Sequence, residues 1–220
     1  VVINTSGGMT GGDVYEIDLA LAAGARAPVV GQACQKVYRS AGGDAGLDVR
    51  LALGTGASLL WLPQPAILFD GAAFVRRLAI DLAPGARLLA LEATVLGRSA
   101  MGERVERCRL REDWRVRREG RLAWASAGRL DLPADPVGRS STLAGGTAFA
   151  TLLCAAAEPD AALDAFRAAA AGVRGRMGAS RLDDLVVATL VSHESRHLME
   201  DLAAVIETLS GTPVPRVWHC

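Results

Sequence analysis

The sequence lacks several features that mark common functional classes. Its 24 basic residues balance its 24 acidic residues, so we expect no broad basic surface that would attract nucleic acid or an anionic membrane. Aromatic residues make up only 5% of the 220 residues, and the tryptophans are not clustered. A stacking platform for carbohydrate or another ligand therefore has little support, although a binding module built from β-repeats stays open as an interpretation.

Cysteine pairs and long apolar runs are missing as well. No CxxC pair joins any of the four cysteines, which are Cys34, Cys108, Cys154 and Cys220. Wide spacing of this kind favours reduced thiols in a cytoplasmic protein over a disulfide framework or a zinc knuckle. No apolar run reaches the roughly 20 residues of a membrane-spanning helix, and the start VVINTSGG does not resemble a signal peptide. Because the chain begins with Val1 rather than Met, we expect N-terminal residues to be missing.

A repeated strand pattern dominates the first part of the chain. Half of the residues are apolar, which is ample for a continuous core. Three segments each contain an alternating strand, a Gly-Ala pair and a second strand. They span 17–26, 49–62 and 78–92, with glycines at Gly24, Gly56 and Gly85. A period of about 30 residues predicts stacked layers of β-strands, in which each layer buries its apolar face on the next.

Two further segments extend this β-rich part. A fourth strand pair is predicted around Glu119 and Gly120, with its arginines on a solvent-exposed face. In WLPQPAILFDGA, residues 61–72, Pro63 and Pro65 each remove a backbone donor and force an extended corner between two apolar strands.

The pattern becomes helical after residue 158. A helix is predicted over 159–172 and a strand over 185–191. A second helix before Gly211 carries an apolar stripe made of Leu198, Leu202, Val205, Ile206 and Leu209. Two later prolines predict an extended tail, PVPRVWHC. We therefore predict one mainly β domain over 1–220, with stacked β-strand layers in 1–158 and two or three C-terminal α-helices in 159–220.

Residues 193–197 read His-Glu-Ser-Arg-His, a literal HExxH. This spacing lets one helix bind zinc through two imidazoles while the glutamate acts as general base. That chemistry requires both histidines within a helix and a third ligand, but His193 ends a strand-like run. The nearby acids Glu200 and Glu207 lie too close along the chain to fold back. A zinc-dependent metallopeptidase is kept as the alternative function, and a solvated first helical turn is preferred.

Four glycines lie in residues 7–12, directly before Asp13. A glycine-rich turn can cradle phosphate, but this one lacks the Lys-Ser/Thr of a P-loop. A strand follows it instead of the helix whose N-terminus would bind the anion. We interpret the turn as a tight bend between strands.

Six segments in the same order resemble the urease accessory protein UreD family, also called UreH. They are the glycine turn with Asp13, KVYRS at 36–40, WLPQPAILFDGA, LEATVLGRSAMGE around 92–103, a Gly178-Ala179-Ser180 turn and the closing PRVW. The resemblance runs from residue 2 to residue 218. Members of that family usually have several dozen further residues before the glycine turn, so this copy looks N-terminally short.

The resemblance implies a chaperone rather than an enzyme. It implies a β-rich body with C-terminal helices that binds apo-urease and recruits UreF and the GTPase UreG for nickel insertion. No cofactor would be bound tightly, and nickel would be held only in transit.

Two sets of residues follow from that resemblance. Acids in glycine-flanked turns, which are Asp13, Glu92 and Glu103, are candidates to line a polar path for nickel. Oxygen ligands release such an ion, whereas several His or Cys would trap it, and the alternative for each acid is a local turn contact. The tail residues Arg216, Val217 and Trp218 are predicted to contact a partner, with a docked structural tail as the equal alternative.

Overall fold

The computed structural model describes residues 1–98 and 101–219, and within them the chain is mainly β. The strands are β1 (Val14–Leu21), β2 (Arg26–Val30), β3 (Gln35–Val37), β4 (Ala45–Leu53), β5 (Ser58–Leu62), β6 (Ala66–Leu68), β7 (Ala72–Leu82), β8 (Arg87–Leu96), β9 (Cys108–Arg118), β10 (Arg121–Leu132), β11 (Ala148–Ala155), β12 (Arg176–Leu182) and β13 (Leu185–Ser192). The helices are α1 (Pro159–Ala170) and α2 (Ser195–Ser210), followed by a 3-10 helix, Arg216–His219. Ser99, Ala100 and Cys220 lie outside the described residues.

The strands form two facing sheets. One sheet has the order β1-β4-β7-β9-β10, and the other has the order β12-β13-β11-β8-β5-β2, with β3 and β6 beside β8. Strands β1, β4 and β7 pair in parallel, and so do β2, β5 and β8. Each copy of the repeat thus places its first strand in one sheet and its second strand in the other. The predicted fold of stacked β-layers with C-terminal helices is confirmed.

The glycine turns form the corners between the two sheets. Gly24, Gly56 and Gly85 have φ of 70°, 66° and 69°, a conformation that costs an L-residue roughly 1–2 kcal/mol. The Gly24 N–H donates to the Thr55 carbonyl at 2.9 Å, and the Gly56 N–H donates to the Pro84 carbonyl at 3.0 Å. Each corner therefore stacks on the next, and one sequence period of about 30 residues corresponds to one layer of the fold.

Strand β9 still pairs in parallel with β7, but the remaining pairs of the later strands are antiparallel. The hairpin β9–β10 turns at Glu119 and Gly120, with φ of 51° and 78°, as predicted. Strand β11 joins β8 to β13, and β12 pairs with β13. The predicted turn at residues 178–180 is wrong, because these residues lie inside β12, where Gly178 is paired with Thr189. Small residues such as these are typical of turns. Here they lie in an edge strand, which is held in place by its pairing with β13.

The helices cover the outer face of the larger sheet. Their buried side chains contact that sheet in one apolar cluster, and the fully buried members are Phe166, Leu198, Leu202, Val205 and Ile206. Burial of one such side chain contributes about 1.5–3 kcal/mol. Helix α2 ends at Gly211 with φ of 67°, a left-handed cap that glycine adopts most easily. The predicted helical stripe is confirmed.

Two other observations concern the cysteines and the length of the helices. Among the described residues, Cys34, Cys108 and Cys154 are free thiols, as predicted. No helix in this part of the chain is long and apolar enough to span a membrane.

Candidate functional site

A row of polar side chains runs between the two sheets. On the smaller sheet, Arg76 of β7 lies in register beside Glu112 of β9. On the larger sheet, Glu92 of β8 lies beside Thr151 of β11, which lies beside Thr189 of β13. Paired residues on neighbouring strands point to the same face of a sheet, and Arg76 contacts Glu92 across the interface. We call these five residues the polar row.

The polar row interrupts the apolar core between the sheets. Along β7, Phe74 belongs to one buried cluster, while Leu78 and Ile80 belong to another. Arg76 lies between them in the same alternation. Burying an ion costs several kcal/mol even when it is paired, so packing alone does not account for a cation and two carboxylates at this position.

The Arg76 guanidinium is surrounded by oxygen atoms. One terminal nitrogen lies 2.9 Å from a Glu92 oxygen and donates to the Ala93 carbonyl at 3.2 Å. The other donates to the Thr94 hydroxyl at 3.0 Å and to the Glu112 carboxylate. The side chains of Arg76 and Glu92 are 3% exposed and that of Glu112 is 14% exposed. The two terminal nitrogens are thus hydrogen-bonded, whereas the buried Arg76 Nε has no hydrogen-bond partner among the described residues.

Burial and neighbouring charges compete at this site. Burial raises the pKa of the Glu92 carboxyl, against the opposing effects of Arg76 and of a 3.1 Å hydrogen bond from the Trp61 indole. Burial also opposes the charge of Arg76, but Glu92 and Glu112 outweigh it and raise the Arg76 pKa. Arg76 therefore stays a cation at all physiological pH values, and Glu92 is the group in this pair whose charge can change.

A cavity of about 360 Å³ adjoins the polar row. Arg76, Glu92 and Trp61 line it, and so does Glu16, an exposed residue of β1. At the far end of the row, Thr189 is exposed. Polar residues in neighbouring register positions thus extend from a cavity at one surface to an exposed strand position on the other side of the two-sheet core.

The structure separates the three predicted nickel contacts. The predicted placement of Glu92 in a turn is wrong, because Glu92 lies in the middle of β8, where it belongs to the polar row. Asp13 lies in a turn as predicted: it accepts a hydrogen bond at 2.8 Å from the Thr10 N–H and closes the glycine turn. Glu103 accepts hydrogen bonds at 3.2 and 2.8 Å from the backbone N–H and the Nε of Arg98. Although burial alone would raise the pKa of Glu103, these contacts lower it. Across residues 1–98 and 101–219, no three His, Cys, Asp or Glu side chains are grouped to hold a metal ion.

The HExxH residues do not form a zinc site. His193 precedes α2, and its Nδ1 lies 3.0 Å from the Gly145 carbonyl oxygen. His197 lies within the helix, with its Nε2 3.7 Å from a Glu194 carboxylate oxygen. The two imidazoles therefore do not share a helix face, and the alternative of a zinc metallopeptidase loses its geometric basis.

The C-terminal tail is docked on the corner of residues 61–72. The Trp218 indole is 6% exposed and donates to the Leu62 carbonyl at 3.3 Å. Gln64 donates to the Val217 carbonyl at 3.0 Å, while Arg216 is exposed. The predicted extended tail is wrong over Arg216–His219, because the Trp218 N–H bonds back to Pro215 at 2.9 Å and forms a 3-10 turn. Partner binding by these tail residues stays a prediction.

Other segments that carried the resemblance also contact one another. Met9 of the glycine turn pairs with Val37, and the Tyr38 hydroxyl donates to the Gly7 carbonyl at 3.2 Å. These contacts support the interpretation of the glycine turn as a bend between strands.

The sequence interpretation missed most of the polar row. Arg76, Glu112, Thr151 and Thr189 were not singled out, although Arg76 carried a detectable signal. It interrupts an alternation of apolar residues, FVRRLAI, at a position where the core face continues on both sides. The other three gain their significance from sheet register, which no local pattern specifies.

Comparisons with known proteins agree in one family. The sequence model described as UreD urease accessory protein matches residues 1–219. The urease accessory protein UreD of Rhizobium etli is 42% identical over 221 residues, which cover 100% of this chain and 80% of the relative. The protein of the same name from Azorhizobium caulinodans is 40% identical, with 99% and 81% covered. The urease accessory protein UreD 2 of Methylorubrum populi is 41% identical, with 100% and 75% covered.

Proposed function

This chain belongs to the UreD family of urease accessory proteins, and we propose that it binds apo-urease together with UreF and UreG and provides a path for nickel. Membership in the family makes it an accessory protein of urease maturation rather than an enzyme. The named partners, the nickel cargo and a cytoplasmic location are parts of the proposal.

The polar row is the observation that supports a path. It offers carboxylate and hydroxyl oxygens across a core that is otherwise apolar, and it adjoins a cavity of about 360 Å³. Nickel can bind such oxygens, but nitrogen and sulfur ligands would hold it more tightly. A sparse row of oxygen ligands therefore suits an ion that has to be released to urease.

Glu92 is the acid that this proposal retains at the centre of the path. Its carboxylate lies against the cavity, whereas the carboxylates of Asp13 and Glu103 are engaged in surface turns. Contact of Asp13 or Glu103 with nickel stays a prediction, which the urease activation assay described below tests.

The partner surface is proposed to include the tail. Trp218 is buried, so its contribution is to anchor the tail on the core, while the exposed Arg216 is the member of the set that a partner can reach directly. Arginine is enriched among residues that dominate binding energies.

Two experiments separate the partner and path parts of this function. Size-exclusion co-elution with UreF, UreG and apo-urease of the same source tests partner binding, and elution of this chain away from all three would contradict it. Nickel-dependent urease activation with Asp13→Ala, Glu92→Gln or Glu103→Ala tests the path. We expect Glu92→Gln to lower activation while co-elution is unchanged, with Glu106→Gln on the surface as the matched control.

A further inference from the structure

The oxygen atoms around Arg76 resemble the ligand set of a divalent cation. We call them the oxygen cage: the carboxylates of Glu92 and Glu112, the Ala93 carbonyl and the Thr94 hydroxyl, all bonded to one guanidinium. Carboxylate, carbonyl and hydroxyl oxygens are the donors that Mg²⁺, Mn²⁺ and Ca²⁺ prefer and that Ni²⁺ accepts. The position is therefore built for a cation, and Arg76 supplies one.

The charges in the oxygen cage do not balance. Glu92 and Glu112 carry two negative charges when ionised, whereas Arg76 carries one positive charge. Arg76 and Glu92 are each 3% exposed, so water screens the remaining charge poorly, and an uncompensated buried charge is costly. A divalent ion in place of the guanidinium would neutralise both carboxylates.

Two observations indicate that the Arg76 side chain can leave its present position. Its buried Nε has no hydrogen-bond partner among the described residues, so its present position leaves one donor unsatisfied, which carries an energetic cost. The same side chain lines the cavity of about 360 Å³. An arginine side chain is long and flexible enough to swing into such a space while its backbone stays in β7.

We propose that Glu92 and Glu112 form a divalent-cation site that Arg76 keeps occupied in the free protein. Arg76 is thus the resident cation, and an ion that enters the cage has to displace it. This inference rests on the proposed function, because it describes how the same path is closed. It also explains why this pair of carboxylates in the core does not bind a metal ion permanently.

Removal of the arginine charge tests the site directly. Arg76→Gln is compared with wild type, with Arg76→Gln/Glu92→Gln, and with Arg77→Gln, which alters an exposed arginine on the same strand. Uptake of Mn²⁺ and of Ni²⁺ by the purified chain is measured by equilibrium dialysis. We expect Arg76→Gln to bind one more ion per chain than wild type, the double variant to lose that ion, and Arg77→Gln to match wild type.

A folded Arg76→Gln protein that binds no more ion than wild type would overturn the proposal, and so would a gain that persists in the double variant. If Arg76→Gln does not fold alone, it is refolded with and without Mn²⁺. The proposal then expects recovery of the folded protein only with the ion, and failure of this rescue counts against it.

The outcomes also distinguish this site from the nickel path. If Arg76→Gln binds no more ion than wild type while Glu92→Gln reduces urease activation, the nickel path is retained and the cation site is rejected. Extra ion uptake by Arg76→Gln with unchanged activation by Glu92→Gln would retain the site and reject the path.

Discussion

Replacement of Arg76 by Met should destabilise the protein far more than the same change at Arg77. Arg76 is 3% exposed and bonds two carboxylates, which would lose their shared cation. Breaking a buried pair in this way costs about 3–5 kcal/mol. Arg77 is 57% exposed and contacts Asp48 at 2.9 Å, and such a surface pair is worth only about 0–1 kcal/mol. Urea unfolding followed by circular dichroism gives both values, provided that the slope m is unchanged.

The pH dependence of the Arg76→Met loss tests its electrostatic origin. Burial already raises the Glu92 pKa above its ordinary value of 4.5, and loss of Arg76 raises it further. A carboxyl with a raised pKa in the folded state favours folding below its ordinary pKa, and this contribution is lost as pH rises through the folded pKa. The deficit of Arg76→Met relative to wild type should therefore shrink as pH falls toward 4.5. A deficit that equals that of Arg77→Met, or that is constant with pH, would refute this reasoning.

Three further changes test other parts of the structure. Asp70→Ala should cost about 1–3 kcal/mol, because the Asp70 Oδ1 accepts two backbone N–H bonds, from Glu106 and Arg107, and alanine has no acceptor to replace it; faster amide exchange at those two residues is the readout. Its pKa is lowered mainly by the Arg107 N–H bond, so wild-type stability from Asp70 is present above its ordinary pKa of 3.8 and is lost as pH falls through the lower folded value. Gly211→Ala should lower the midpoint of thermal unfolding and cost about 1 kcal/mol, because φ is 67°; an unchanged midpoint would contradict the cap. Trp218→Ala should cost about 3–5 kcal/mol in urea unfolding, because the indole is 6% exposed, and a loss below about 1 kcal/mol would indicate a loosely held tail.

The layered part of the fold was predictable because its pattern is local and repeated. Gly24, Gly56 and Gly85 mark each corner, and the alternation around them specifies which face of each strand is buried. The stripe on α2 was equally readable, because helical spacing brings its apolar residues to one face.

Strand β12 and the docked tail were not predictable in the same way. The sequence of β12, RMGASRL, has no β-branched residue, and the strand forms because its backbone pairs with β13 at the edge of the sheet. Trp218 reaches a carbonyl 156 positions away in the sequence, a contact that depends on the assembled fold.

The candidate site was predictable only in part. Glu92 was found through a family resemblance, but its partner Arg76 stands beside Arg77 and looks like part of an exposed charged face. The distinction comes from strand alternation, which turns Arg76 inward and Arg77 outward. Glu112 joins the site because β7 and β9 pair in parallel in one particular register.

The most direct test of the central claim is nickel loading of apo-urease by three complexes, which are built with wild-type, Glu92→Gln or Glu106→Gln protein. The complexes are first shown by size exclusion to contain the same components, and the nickel content and activity of urease are then followed with time. A path along the polar row predicts slower or incomplete loading with Glu92→Gln and normal loading with Glu106→Gln. Equal loading by all three complexes would contradict a path through Glu92.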